Sequence, residues 1–173
     1  MARVLIVGCG CRGQALAREL RARGHAVRGT TRSEARRAQI EAAGTEVWIG
    51  DPDRIATISY ALDGVTILCW LMGSATGSRE QLEALHGSRL SMLLERTIDT
   101  TVRGLLYEAA GSVDGALLAA GAETVRAACG KSEIPHALLE TDPADRDAWL
   151  AAALERIDGL LSYERPSALD DAR

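Results

Sequence analysis

Residues 7–16, VGCGCRGQAL, decide how the rest of the chain is read. Before the first glycine stands Val4-Leu5-Ile6-Val7, a continuous apolar run of the kind found in a strand buried on both faces of a parallel sheet. After the last glycine, Ala15, Leu16, Ala17 and Leu20 recur at helical spacing, Arg18, Arg21 and Arg23 fall on a solvated face, and Gly24 stops the helix. The segment Gly8-Cys9-Gly10-Cys11-Arg12-Gly13 therefore joins a buried strand to a helix inside a β-α-β unit. That is the context in which G-x-G-x-x-G cradles a dinucleotide. Gly8 allows the tight turn, Gly10 lets the backbone approach a pyrophosphate, and Gly13 lets the helix pack on the strand. Free N–H groups from Cys11 onward meet the phosphate oxygens. Arg12 is positioned to add a cation. The alternative reading of the same glycines is a purely structural turn.

The alternation continues outward. Strands are expected at 25–30, 45–49, 65–70, 102–107 and 135–140, and helices at 34–43, 54–62, 79–96, 115–129 and 143–161, with a glycine- and serine-rich loop at 73–78. Strict alternation implies a doubly wound parallel sheet of about six strands in a three-layer α/β/α arrangement, with 3-2-1-4-5-6 as the expected order. At 173 residues, 47% hydrophobic and 25% charged, the chain suits one domain over 1–165, with a loose tail at 166–173.

MARVLIV is too short in apolar residues for an export signal, and no stretch approaches the ~20 apolar residues of a membrane span, so a cytoplasmic protein with no membrane partner is expected. The four cysteines are then expected as reduced thiols. Residues 1–60 carry ten basic and six acidic side chains, whereas 61–173 carry ten and eighteen. Positive charge thus gathers around the glycine motif, which favours a small anionic ligand over the broad basic face of a nucleic-acid binder.

Cofactor choice turns on the end of the second strand, where an NAD site offers a carboxylate to the ribose hydroxyls. Here the chain reads Arg28-Gly29-Thr30-Thr31-Arg32-Ser33, with no carboxylate until Glu34. Arg32, with hydroxyls from Thr31 and Ser33, matches a 2′-phosphate, so NADP is expected over NAD. The alternative is an Arg32 that merely ends a strand in solvent. Cys9 and Cys11 lack a second pair at zinc spacing, and no metal is expected. A thiol at a helix start beside arginine can be reactive, which leaves oxidation as a control of cofactor binding; a small residue that fits the turn is the plainer account. Cys69 and Cys129 read as core residues.

The stretch VLIVGCGCRGQALARELRARGHAVRGTTRS, followed by EAAGTEVWIGDPDRIATISYALDGVTILCWL, resembles the atypical and extended short-chain dehydrogenase/reductases, especially the NADP-binding, epimerase-like members. The resemblance covers residues 3–72 well and thins beyond. It implies a Rossmann-like fold, an adenine contact for Asp51, and a loop from Leu71 to Ser74 beside the nicotinamide-side ribose. An N-cap before the short helix is the other reading of Asp51. The family's oxidoreductases use a Tyr-x-x-x-Lys pair, and this chain has none: Lys131 is its only lysine, and Ala127 stands four residues earlier. By alignment Gly115 and Ala119 take the places of the tyrosine and the lysine.

Tyr107 and Glu108 sit near the carboxyl end of the fifth strand, where Glu108 could accept a proton, although one core tyrosine and one exposed acid is the plainer expectation. Glu140 and Asp142 end the sixth strand, Asp142 as a candidate N-cap of the last helix. Trp70 and Met72 are expected to cover the cofactor or pack a neighbouring helix. No catalytic residue is assigned. The leading expectation is an NADP(H)-binding protein without the usual catalytic pair, acting as a cofactor-dependent binding or regulatory module. Its rivals are an oxidoreductase or epimerase that uses other residues or a partner subunit to act on an unknown small molecule, and a thiol redox sensor. A homodimer through the alanine-rich helices is a further expectation, with packing of those faces on the sheet as its alternative.

Overall fold

The computed structural model describes residues 1–163; the expected tail at 166–173 lies outside the described residues. Six strands, β1 (Arg3–Val7), β2 (Ala26–Thr31), β3 (Glu46–Ile49), β4 (Ile67–Trp70), β5 (Gly104–Glu108) and β6 (His136–Leu139), form one all-parallel sheet in the order β3-β2-β1-β4-β5-β6. The helices are α1 (Cys11–Ala22), α2 (Arg37–Glu41), α3 (Ala56–Ser59), α4 (Arg79–His86), α5 (Ser88–Thr97), α6 (Gly115–Ser132) and α7 (Arg146–Leu161). The fold is a Rossmann-like, single-domain α/β sandwich, as the alternation implied. Among the described residues no helix is long and apolar enough to cross a membrane.

The side-chain period of two divides the central strands between two cores. Leu5, Val7, Leu68, Trp70, Leu105 and Tyr107 point to one face, where α4, α5 and α6 supply Leu85, Leu93 and Val125. Val4, Ile6, Ile67, Cys69 and Leu106 point to the other, covered by α1, α2 and α7 through Leu16, Leu20, Ile40, Trp149 and Ile157. Burying each large apolar side chain contributes roughly 1.5–3 kcal/mol, so the sheet is anchored from both sides. The buried faces of α6 and α7 pack on the sheet through Leu118, Ala122 and Val125 and through Trp149, Ala153 and Leu160. Trp70 belongs to this core, fully buried, and does not reach a ligand cleft.

Four helices differ from expectation, and the one expected at 54–62 is α3, Ala56–Ser59, followed by a 3-10 turn at Tyr60–Leu62. The helix expected at 79–96 is broken at Gly87, whose φ of −115° and ψ of −101° leave the helical region, and where a Cβ would lie 2.7 Å from the Glu83 carbonyl. The helix expected at 34–43 is a 3-10 turn, Glu34–Arg36, followed by only five residues of α2. The last helix starts at Arg146 rather than Pro143. Asp142 accepts from the Ala144 N–H at 2.9 Å in a turn, and Asp145 is the residue that caps α7, accepting from the Ala148 N–H at 3.1 Å.

Candidate dinucleotide-binding site

The site is built from the carboxyl ends of the strands, beginning with β1. Gly8 has φ of +90°, and a Cβ there would stand 2.4 Å from the Leu71 carbonyl, so the turn requires glycine twice over. Gly13 is held by packing: a Cβ would meet the Gly8 carbonyl at 3.0 Å and Ile6 Cγ2 at 3.2 Å. Gly10 is different. Its φ of −77° suits any residue and no protein atom lies within 4 Å of a Cβ built there. The protein itself has no need of glycine at position 10, whereas a ligand lying against that backbone would. Gly10 is also the N-cap of α1 and brings no side-chain cap, so the first amides of the helix, from Cys11 to Gly13, open toward the cleft without one.

This cleft encloses about 840 Å³ and runs the width of the sheet's carboxyl edge. One end is lined by Thr31, Arg32, Ser33, Asp51 and Asp53, and also by Arg36. Thr31 Oγ1 accepts from the Ser33 N–H at 3.2 Å and fixes the turn that presents Arg32 and Ser33 to solvent. Arg36 falls within the helix expected at 34–43 and was not singled out from the sequence; its spacing of four from Arg32 was the available signal. Arg32 and Arg36 have no ion-pair partner among the described residues. Glu34, the nearest carboxylate in sequence, is paired with Arg37, whose hydrogen bond holds its carboxyl below the usual range. Asp51 Oδ1 accepts from the Asp53 N–H at 3.0 Å, capping a turn; α3 starts later, behind Ile55, so Asp51 is not that helix's N-cap.

At the other end lie Leu71, Met72, Ser74, Pro143, Arg146 and Trp149. The side chain of Glu108 is fully buried here, which corrects the expectation of an exposed acid. Its Oε1 takes the Trp149 Nε1–H at 2.9 Å and Arg12 Nη2 at 3.2 Å, and its Oε2 takes the Gly73 N–H at 2.8 Å. Arg12 also donates to Ser74 Oγ at 3.1 Å and lies over the Trp149 ring, 5.4 Å from its centroid. A carboxylate so enclosed ties β5, the start of α1, the loop after β4 and α7 together and has no free path to a substrate proton.

Tyr107 points to the opposite core. The Met72 carbonyl can only accept, so His86 Nε2 carries the proton that it receives at 3.2 Å, and His86 Nδ1 accepts from the Tyr107 hydroxyl at 2.7 Å. Burial holds His86 below its usual value and pushes Tyr107 up, the latter with help from the Glu108 charge. Gly121 makes room for this hydroxyl: a Cβ there would sit 2.1 Å from it. Tyr107 is thus a core hydrogen-bonding group, and Ser112 donates its backbone N–H to Ser74 Oγ at 3.4 Å. Gly115 begins α6 and Lys131 is exposed near its far end.

The thiols fall apart in role. Cys9 is buried under β2, its Sγ 2.6 Å from where a Gly29 Cβ would be, and burial pushes it up to about 12. A thiol held protonated and shielded is a packing residue, in line with the plainer account of a small residue that fits the turn and against the alternative of a reactive thiol. Cys11 is exposed on the cleft's rim. No group of three or more potential metal ligands is gathered among the described residues.

A parallel sheet with a glycine cradle at its first strand-helix junction defines a dinucleotide-binding domain of the Rossmann type. The family model described as NAD(P)H-binding matches residues 8–139, and the chain belongs to that family. No curated protein sequence matches it. Among solved structures it is similar to a short-chain dehydrogenase/reductase superfamily protein from Agrobacterium tumefaciens with bound NAD (TM-score 0.65, 19% identity, 80% of this chain and 48% of that one). It is also similar to the UDP-glucuronic acid 4-epimerase of Bacillus cereus in complex with NAD (0.64, 14%, 80% and 55%). A third likeness is to the Citrobacter triphenylmethane reductase complexed with NADP(H) (0.59, 18%, 80% and 49%). The chain spans about half the length of these structures.

Proposed function

We propose that this protein binds NADP(H) and acts as a cofactor-dependent binding or regulatory module rather than by the family's usual proton-transfer chemistry. The observation that carries the reading is the pairing of an open helix N-terminus at Gly10 with two arginines after β2, Arg32 and Arg36, that have no ion-pair partner among the described residues. Cys11, Arg12 and Gly13 supply backbone amides to the pyrophosphate. Arg32, Arg36, Thr31 and Ser33 receive the 2′-phosphate, where a carboxylate would repel it. Asp51 borders the adenine, and Leu71 lies beside the nicotinamide-side ribose. When bound, the cofactor brings hydride chemistry. The residues that would have to manage its protons are missing or engaged: no tyrosine-lysine pair exists, Glu108 is enclosed by Arg12, Trp149 and Gly73, and Tyr107 faces His86 in the core.

The test is calorimetric titration with NADP and NAD, each oxidised and reduced, on the native protein and on Arg32→Ala. NADP should bind in preference to NAD, and the variant should lose about tenfold or more of its NADP affinity, the scale of one charge-assisted contact, with NAD little changed. Equal loss for both cofactors would remove the 2′-phosphate assignment, and binding of neither would remove the reading as a whole.

A further inference from the structure

The cleft has a second cationic end that a dinucleotide does not use. We infer that the space between Arg12 and Arg146, over Trp149, is a subsite for a small organic carboxylate bound next to the cofactor. Arg146 is the first residue of α7 and Trp149 lies three residues on, so their side chains share one face of the helix. Arg12 reaches the same indole from the glycine loop and stacks at 5.4 Å. Two guanidinium groups from distant parts of the chain therefore flank one apolar floor, and both line the cleft.

These cations are available. Among the described residues Arg12 engages Glu108 and Ser74 through Nη2 alone; its Nη1 has no hydrogen-bond partner there and, unlike its Nε, is not shut off from solvent. Arg146 has no ion pair among the described residues. Glu108 balances one positive charge. The other nearby acids do not line the cleft, and Asp142 and Asp145 hold the amides of Ala144 and Ala148. Arg146 thus lines this end of the cleft with no carboxylate paired to it among the described residues. It stands in the first turn of α7 between Asp145 and Asp147, where a cation gains nothing from the macrodipole.

This inference rests on the proposed function only for the position of the cofactor. With the pyrophosphate at Gly10 and the 2′-phosphate at Arg32, the nicotinamide half carries no anion to answer Arg12 and Arg146. A planar carboxylate matches the fork of a guanidinium, which is the basis for choosing that class.

The experiment follows the Trp149 indole N–H in ¹⁵N spectra of the whole protein during titration with oxalate, and with oxamide as its neutral isostere. Oxalate should shift that resonance saturably and oxamide should not. Arg146→Gln, an exposed change at a helix start, should keep the spectrum of the folded protein and weaken oxalate by about tenfold. Equal affinity in the native protein and in Arg146→Gln, a matching response to oxamide, or no shift of Trp149 would each overturn the subsite. The readout needs no cofactor, so the two readings fail separately: NADP binding without an Arg146-dependent oxalate response sinks only the subsite, and the converse sinks only the dinucleotide.

Discussion

The two ends of the cleft are made in different ways. At the β1–β3 end the chain offers backbone amides and arginines without an ion pair among the described residues, with Arg32 and Ser33 exposed. At the β4–β6 end the polar groups are already joined to one another: Glu108 to Arg12, Trp149 and Gly73, and His86 to Tyr107 and Met72. Groups left open are suited to hold a ligand by charge and hydrogen bonding. Groups that satisfy each other in the interior stabilise the fold and give up the freedom to exchange protons. The contrast teaches that one end of the cleft leaves its polar groups open to a ligand, while the other spends most of them on one another.

The most direct way to break that contrast is at Glu108. Glu108→Ala leaves the Trp149 indole N–H and the Gly73 amide without acceptors and Arg12 without its counter-charge. Removing one partner of a buried pair is far more damaging than replacing the pair. Arg12 is partly exposed and can turn to water, so a loss of about 3 kcal/mol in urea unfolding is expected, at the lower end for such changes. A loss below about 0.5 kcal/mol, typical of a surface site, would mean that the sealed end is not sealed by this carboxylate.

A smaller effect sharpens the other end, through two glycines that look alike in sequence. Gly8→Ala meets both a φ of +90° and the Leu71 carbonyl, and should lower stability by roughly 2 kcal/mol besides weakening the cofactor. Gly10→Ala meets neither. It should unfold within about 0.5 kcal/mol of the native protein while NADP affinity falls at least about tenfold. Stability and affinity measured on both variants separate a glycine demanded by the fold from one demanded by a ligand. Parallel losses at the two positions would return the motif to a structural turn.

How much of this was legible in the sequence follows the same division. The glycine spacing, the apolar run before it and the alternation after it were enough for the fold and strand order, because each depends on neighbours along the chain. Arg32 was visible as a candidate for the same reason. The Glu108 cluster was not, since Arg12 is 96 positions away and Trp149 is 41, and no local pattern joins them. Strand alternation correctly separated Tyr107 from Glu108 but could not say that the acid's side of the sheet would be closed by a tryptophan from α7. The break at Gly87 was hidden by continuous helical periodicity on both sides of it. Asp142 and Asp145 both fit a cap by type, and only the turn at Pro143 decides between them.

The smallest expected effect concerns the sealed end alone. His86 is held below its ordinary value of 6.5, chiefly by burial. The unfolded chain therefore takes up a proton at this position more readily than the fold does, and unfolding gains protons as the solution is acidified. The stabilisation from a neutral His86 is complete above about pH 6.5, the unfolded value, and is lost progressively as the pH falls below it toward the folded value. His136 is shifted in the same direction by partial burial and by Arg126, and adds to the slope. Urea midpoints taken between about pH 7.5 and pH 5 should fall for the native protein. His86→Gln, which keeps a donor for the Met72 carbonyl, should start lower and fall less steeply over the same range. An unchanged slope would show that the imidazole is as easily charged in the fold as in the unfolded chain. In that case the β4–β6 end would retain a group able to exchange protons, and the contrast between the two ends would be one of degree.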